Sequence, residues 1–431
     1  MLAINGGEKL RKEPFPAYNT IGQEEEEAAL RVLRSGKLST YLGTWHDDFF
    51  GGTEVQALER AWEKFFDVKH AISVNSATSG LYAAVGAAGI SPGDEVIVSA
   101  YTMSASATAA LVYGAIPIFA DIEEDYYCLD VTSIEAKISP KTKAIIVVDI
   151  FGQVYDVEAI NALAKKHNLI VIEDAAQAPG AMYKNRYAGT LGDIGIFSLN
   201  YHKHIHSGEG GIIVTNDDIL ADKLRLIRNH AEAVLSARGI KDKDELINMI
   251  GFNYRMTEIE AAIAHEQLKK LPKLLIERIE NTSYLNDRLS SIPCLRATKI
   301  RPESKHVFYL HALQFDQKEA GVHRNTFINA VKAELPKTIL RDESDALLSY
   351  GYVKPLYLQP LYQERIGFGK EGFPFNQSTV MYQKGLCPVT ERMHDNLLVT
   401  HEFMRPGMQR KDMDDVIAAF IKIWKHFKNQ Y

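Results

Sequence analysis

Short, nearly continuous apolar runs recur through the first half of the chain: Ala71–Asn75, Glu95–Ser99, Ile116–Ala120, Lys143–Asp149, Leu169–Glu173, Ile194–Ser198 and Gly211–Thr215. Between most of them lie stretches of helical character, Thr78–Ala88, Ser104–Val112 and Val157–His167. Strands buried on both faces lose the alternation of half-exposed strands and read as unbroken apolar runs. Their alternation with helices predicts an α/β fold, a mainly parallel sheet with helices on both faces. The segment between Ser198 and Gly211 does not read as a crossover helix. Glu24–Leu33 reads as an amphipathic helix with acids in its first turn and Gly36 past its end. Ser39–Thr53, rich in Gly, Tyr, Trp and Phe, reads as a packing loop. Helices follow at Asp218–Arg228 and Thr257–Ser290. The last third mixes helices and strands, with Pro-, Tyr- and Gly-rich loops between Tyr350 and Phe375. Two domains are expected: a large one over 1–265 with the N-terminal segment, and a smaller C-terminal α/β domain over 266–431.

Composition narrows the function classes. The 431 residues are 46% hydrophobic and 24% charged, with a net charge of −6, which offers no concentrated basic surface for nucleic acid or an anionic membrane. Cys128, Cys294 and Cys387 are widely spaced and odd in number, so neither a disulfide framework nor a zinc ribbon is indicated. A reduced, cytoplasmic setting is expected. Met1–Pro14 has no apolar core bounded by a cleavage site, so no signal peptide is expected there, and no apolar run approaches the roughly 20 residues that span a bilayer.

In a doubly wound sheet ligands bind beyond the carboxyl ends of the strands, and four such places carry chemistry. Asn75-Ser-Ala-Thr-Ser-Gly80 offers hydroxyls and free N–H groups at a helix start, suited to a phosphate; it also reads as a plain N-cap through Ser76 or Thr78. Glu173-Asp-Ala-Ala-Gln177 puts Asp174 at the rim of a buried strand, able to pair with a protonated ring nitrogen or to cap a helix. Ser198–Gly211 holds Lys203 five residues before a glycine-rich turn. A buried lysine forms Schiff bases with carbonyls and serves as a base; a lone loop lysine is also commonly just surface charge. His202, His204 and His206 would share one face if extended. No acid or cysteine completes a metal site there, and a polar lining of a substrate pocket is the expectation. Gly251-Phe-Asn-Tyr-Arg-Met-Thr257 places Asn253 and Arg255 before a long helix, where capping and surface charge are the plainer reading.

Taken together and in this order, the four segments resemble the DegT/DnrJ/EryC1/StrS family of sugar aminotransferases, over nearly the whole chain from about Asn19; Gly385-Leu-Cys-Pro-Val-Thr-Glu-Arg392 fits the same pattern. The resemblance implies the aspartate-aminotransferase-like fold type I of pyridoxal 5'-phosphate enzymes, with a seven-stranded-type sheet, and a homodimer with shared active sites. It implies that Lys203 holds the cofactor as a Schiff base, that Asp174 keeps the pyridine nitrogen protonated so that the ring accepts electrons, and that Gln177 sits near the phenolic oxygen. Ser76, Ala77 and Ser198, with Thr78 beside them and Asn253 from the partner subunit, would hold the phosphate. His202, His204 and Arg255 are expected toward the substrate.

The chain departs from the family where an aromatic residue usually stacks on the ring. Met103 stands there, and a thioether can cover a ring face by dispersion; Tyr101 is out of register for that role. A dehydratase branch of the family carries histidine at the lysine position, and the register from Ser198 to Gly208 puts Lys203 there instead, which favours transamination. The implied reaction takes an amino group from glutamate or glutamine to a keto sugar, commonly nucleotide-linked. The Tyr41–Gly52 segment with Gly51-Gly-Thr-Glu54 also resembles relatives that act on keto-cyclitols such as scyllo-inosose. A non-catalytic, regulatory cofactor binder is the remaining alternative, disfavoured by the intact Lys203, Asp174 and Gln177.

Overall fold

A computed structural model describes residues 1–44, 46–231, 248, 250–336 and 347–428; Trp45, within the loop expected at 39–53, lies outside the described residues. The seven apolar runs form one sheet: β1 (His70–Val74), β2 (Glu95–Ser99), β3 (Ile116–Ala120), β4 (Thr142–Val148), β5 (Ile170–Asp174), β6 (Ile194–Ser198) and β7 (Gly211–Thr215). Their order is β1-β7-β6-β5-β4-β2-β3. Only β7 runs against its neighbours β1 and β6, because residues 199–210 return the chain to it through a series of turns with no crossover helix. The other six strands point the same way, so their carboxyl ends share one rim.

The helices include α1 (Gln23–Ser35), α2 (Thr53–Phe66), α3 (Ala77–Ala87), α4 (Ser104–Val112), α5 (Val131–Glu135), α6 (Val157–His167), α7 (Asp218–Arg228), α8 (Glu258–Leu289), α9 (Arg324–Glu334) and α10 (Arg410–Lys428). Several start at side-chain caps visible in the sequence: Asp156 accepts from Ala159 N, Asp217 from Leu220 N, and Thr257 with Glu260 closes a capping box. Helix α2 begins where the expected loop ends. Val55, Leu58, Trp62 and Phe66 recur on its buried face and pack Trp62 and Phe66 against Phe197 of β6.

A second, four-stranded antiparallel sheet is built from β8 (Leu295–Ala297), β9 (His311–Phe315), β10 (Leu348–Tyr350) and β11 (Leu398–His401), in the order β8-β9-β11-β10. Its core includes His311 and His401, which are register partners. Phe403 N donates to His401 Nδ1, His401 Nε2 donates to His311 Nδ1 at 2.8 Å, and His311 Nε2 donates to Asn286 Oδ1 at 2.7 Å. Both rings are neutral in this chain of bonds.

The two cores do not divide at 265/266. Helix α8 is continuous across that point, with Ala261, Ala264, Leu268, Leu271 and Leu275 in the first core and Leu285 and Leu289 in the second. Its apolar stripe is long enough to serve both. The N-terminal Leu2 and Phe15 pack in the second core, and Leu356, Tyr357, Tyr362, Phe375 and Tyr382 return to the first. No helix among the described residues is long and apolar enough to cross a membrane.

Candidate active site

The rim of carboxyl ends encloses a cavity of about 170 Å³. Ser76, Ala77, Thr78, Thr102, Met103, Asp174, Gln177, Ser198, His202 and Lys203 all line it, together with Tyr309 and Tyr352 from beyond the first sheet. Residues distant in sequence meet here because β1, β2, β5 and β6 end on the same rim of the sheet.

At one end lies the start of α3. Ser76 is its N-cap, accepting from Ser79 N at 3.0 Å, so the plain capping role is fulfilled. Capping leaves the first N–H groups of the helix, those of Ala77 and Thr78, without an acceptor inside the helix, and they face an anion site reinforced by the dipole. Ala77 and Thr78 belong to the helix itself rather than to a loop. Gly211, paired with both Val74 and Ser198, closes against this turn. A Cβ there would come within 2.6 Å of Ala77 N, so only glycine leaves the cradle its shape. Ser198 Oγ accepts from Asn200 N, which leaves its hydroxyl hydrogen to donate.

At the other end Asp174 is buried. Its Oδ2 accepts from Ser106 Oγ at 2.7 Å and its Oδ1 from Ala176 N at 3.2 Å. Burial pushes the carboxyl above its ordinary range, while the Ser106 hydroxyl, the Ala176 N–H and the Lys203 charge pull it back. Gln177 Oε1 accepts from Phe151 N, and Gln177 Nε2 donates to the Tyr352 hydroxyl.

Lys203 follows β6 in a series of turns. Its N–H donates to Asn200 O, and its Nζ stands 4.4 Å from the centroid of the Tyr309 ring, a cation–π contact. Gly208 and Gly210, at φ of 90° and 148°, carry the return to β7, and Leu199 N donates to Gly210 O.

The three histidines do not share a face, because residues 201–207 are turns and not a strand. His202 reaches the cavity. His204 is turned into the core instead: it is 1% exposed, its Nε2 donates to Val307 O at 3.0 Å, and burial holds its pKa well below the ordinary value. His206 is half-buried and does not line the cavity, its N–H on Gln267 Oε1. Tyr101 is fully buried, its hydroxyl accepting from Tyr352 N and bonded to His394 Nδ1, and so stays out of the cavity. Met103, the residue before α4, remains 57% exposed on the cavity wall.

Asn253 and Arg255 do not line this cavity in their own chain. Asn253 is exposed, and its Oδ1 accepts from Arg255 Nε at 2.9 Å; Arg255 also donates to Asn229 Oδ1. The Gly51–Glu54 segment lies elsewhere, on a separate concavity of about 550 Å³ with Arg31, Arg60 and Glu258. Glu258 accepts there from Gly52 N and Glu54 N and caps α2. Sequence reading did not find Ser106, Tyr309 or Tyr352. No local motif marks them, and only the topology brings them to the rim.

The donor set fits pyridoxal phosphate. An amine, a buried carboxylate and a helix start suited to an anion open into one cavity, where the Thr102 hydroxyl is buried without a partner among the described residues. Residues 20–421 match the DegT/DnrJ/EryC1/StrS aminotransferase family. The chain belongs to this family. It is 33% identical to the spore coat polysaccharide biosynthesis protein SpsC of Bacillus subtilis, over 94% of this chain and 95% of that one. It is 31% identical to an L-glutamine:2-deoxy-scyllo-inosose aminotransferase of Streptoalloteichus tenebrarius, over 99% and 98%. An aminotransferase structure from Psychrobacter cryohalolentis superposes with a TM-score of 0.79 at 27% identity, covering 96% of this chain and all of that one. As a family member the chain is an aminotransferase of the pyridoxal-phosphate type, with the fold expected from its sequence.

Proposed function

We propose that this aminotransferase moves an amino group from glutamate or glutamine to the keto group of a sugar, nucleotide-linked as is common in the family, with Lys203 as the catalytic amine. One observation carries the reading: Lys203 and the buried Asp174 open into the cavity that begins at the α3 N-terminus. When bound, the cofactor supplies an aldehyde that bonds to amines and a protonated ring that draws electrons from the adjoining carbon.

The residues divide the work. Ala77 and Thr78 N–H groups, with the Ser76 and Ser198 hydroxyls, would hold the phosphate; Asp174 would hold the proton on the ring nitrogen; Gln177 Nε2, which already donates to Tyr352 Oη, has a second hydrogen that would donate to the cofactor's phenolic oxygen. Met103, on the cavity wall, would cover one ring face. Lys203 Nζ, once free, takes the proton from the donor's α-carbon and later returns one to the product carbon, a contribution on the order of 10²–10⁴-fold. His202 lines the substrate side. Arg255 donates to Asn253 Oδ1, and Asn253 is exposed. The family resemblance supports a homodimer with shared sites, in which Asn253 would reach the phosphate of the partner subunit's site, and mixing inactive Lys203→Ala and Asn253→Ala subunits would restore partial activity.

Borohydride reduction of the holoenzyme, followed by peptide mapping, tests the assignment: the label belongs on Lys203, and Lys203→Ala should lose both turnover and the visible absorbance band. A label elsewhere ends the proposal. The near-complete coverage of the deoxy-scyllo-inosose relative supports a second acceptor class, a keto-cyclitol. Assays with a panel of nucleotide-linked keto sugars and inososes separate the two, and protection by a nucleoside diphosphate alone favours the first.

A further inference from the structure

The orientation of the Gln177 amide is settled by its neighbours. Phe151 N–H lies 2.8 Å from Gln177 Oε1. A backbone N–H can only donate, so the amide oxygen faces it and the nitrogen faces away. Gln177 Nε2 then meets the phenolic oxygen of Tyr352 at 3.1 Å. That nitrogen can only donate too, so the Tyr352 oxygen accepts and its own hydrogen points elsewhere. No protein acceptor for that hydrogen is found among the described residues, and Tyr352 lines the cavity that holds Lys203.

Tyr352 is also held in place. Its ring meets Phe151 edge-on at 5.1 Å and Tyr101 edge-on at 6.0 Å. Its N–H donates to Tyr101 Oη at 2.7 Å. The relay starts at a strained point: Phe151 has φ 59°, a left-handed conformation costly for an aromatic residue and typical of functional sites. Burial pushes the Tyr352 phenol up to about 12, so it remains a donor across the working range.

We propose that Tyr352 is a specificity-determining residue whose O–H donates to one hydroxyl oxygen of the keto acceptor. The proposal rests on the reading of the chain as an aminotransferase for a polyhydroxylated keto acceptor. Such a ring presents a hydroxyl on most of its carbons. A donor of fixed direction selects which carbon comes to Lys203, because a site built around one hydroxyl discriminates against rings that lack it.

Tyr352→Phe keeps the ring and removes the donor. Wild-type and variant holoenzymes are converted to the aminated form with glutamine or glutamate, and return of the cofactor absorbance is followed after adding keto acceptor. The acceptors are the best keto sugar or inosose and its deoxy analogues, each lacking one hydroxyl. The expected result is an acceptor KM raised about tenfold in the variant, well beyond any change in the donor half-reaction, since losing the Gln177 contact affects every substrate alike. For one deoxy analogue, wild type and variant should perform alike. The same wild-type-to-variant ratio for every analogue, or an equal loss in the donor half-reaction, overturns the proposal and leaves Tyr352 a structural support of Gln177. An aminated wild type that no keto acceptor restores overturns the parent reading as well, and that outcome shows before any substitution is made.

Discussion

Ser106 Oγ lies 2.7 Å from Asp174 Oδ2, and both groups are buried. The hydroxyl on α4 thus serves the carboxylate at the end of β5. Hydrogen bonds to a charged group contribute about 1.5–3 kcal/mol. Ser106→Ala should therefore raise the Asp174 pKa further above its ordinary range. The acid limb of the pH–rate profile would move to higher pH, and cofactor retention would weaken about tenfold. Ser106→Thr should restore both. Absorbance titration of the bound cofactor and its dissociation constant check this independently of turnover.

Gly211 bears on the same site from the other side. A methyl group there would collide with the backbone at Ser76 and Ala77. Gly211→Ala should cost about 1–3 kcal/mol of stability and loosen cofactor binding more than it lowers the melting temperature of the apoprotein. Equilibrium dialysis of the cofactor alongside apoprotein melting separates the two effects.

Away from the site, Arg228 is fully buried with its Nη1 2.6 Å from Glu59 Oε1. Glu59 also accepts from Ser73 N and Ser73 Oγ. Removing one partner strands the other charge, so Arg228→Met should destabilise by about 3–5 kcal/mol. The double variant with Glu59→Gln should recover part of that loss. Denaturant titration gives both numbers.

Burial depresses the second core's histidines. His306 and His311 fall to about 3 from an ordinary value of 6.5, and His401 lies well below it. At His306 and His311 the unfolded chain binds protons between pH 6.5 and 3 while the folded chain does not. The stability they contribute is therefore present above pH 6.5 and drains away as the pH falls through that window, and His401 acts in the same direction. Between pH 6.5 and 5, His306 and His311 should each cost about 2 kcal/mol. His306→Phe should flatten the slope of melting temperature against pH by about one proton's worth.

The sheet was legible because buried strands write themselves as unbroken apolar runs, and Asp156, Asp217 and Thr257 announce their helices. Lys203, Asp174 and the Ser76 turn were legible as motifs at strand ends. His204 was misread because alternation predicts a common face only for extended backbone, and the glycines at 208 and 210 belong to a coiled return instead. Ser106, Tyr309 and Tyr352 carried no local signal: Ser106 meets Asp174 only because β2 and β5 end on one rim, and Tyr309 and Tyr352 arrive from beyond the first sheet. Helix α2 did carry one, in the spacing of Val55, Leu58, Trp62 and Phe66: the expected loop stops where the helix starts, but the helix itself went unread.

Helix α8 is owned by both cores, and this has a thermodynamic consequence. Neither half can melt while the other keeps its portion of the rod, so heat should dissolve the chain in a single cooperative transition. Severing it at 265/266 would hand each fragment an orphaned apolar stripe, and both pieces would aggregate rather than fold.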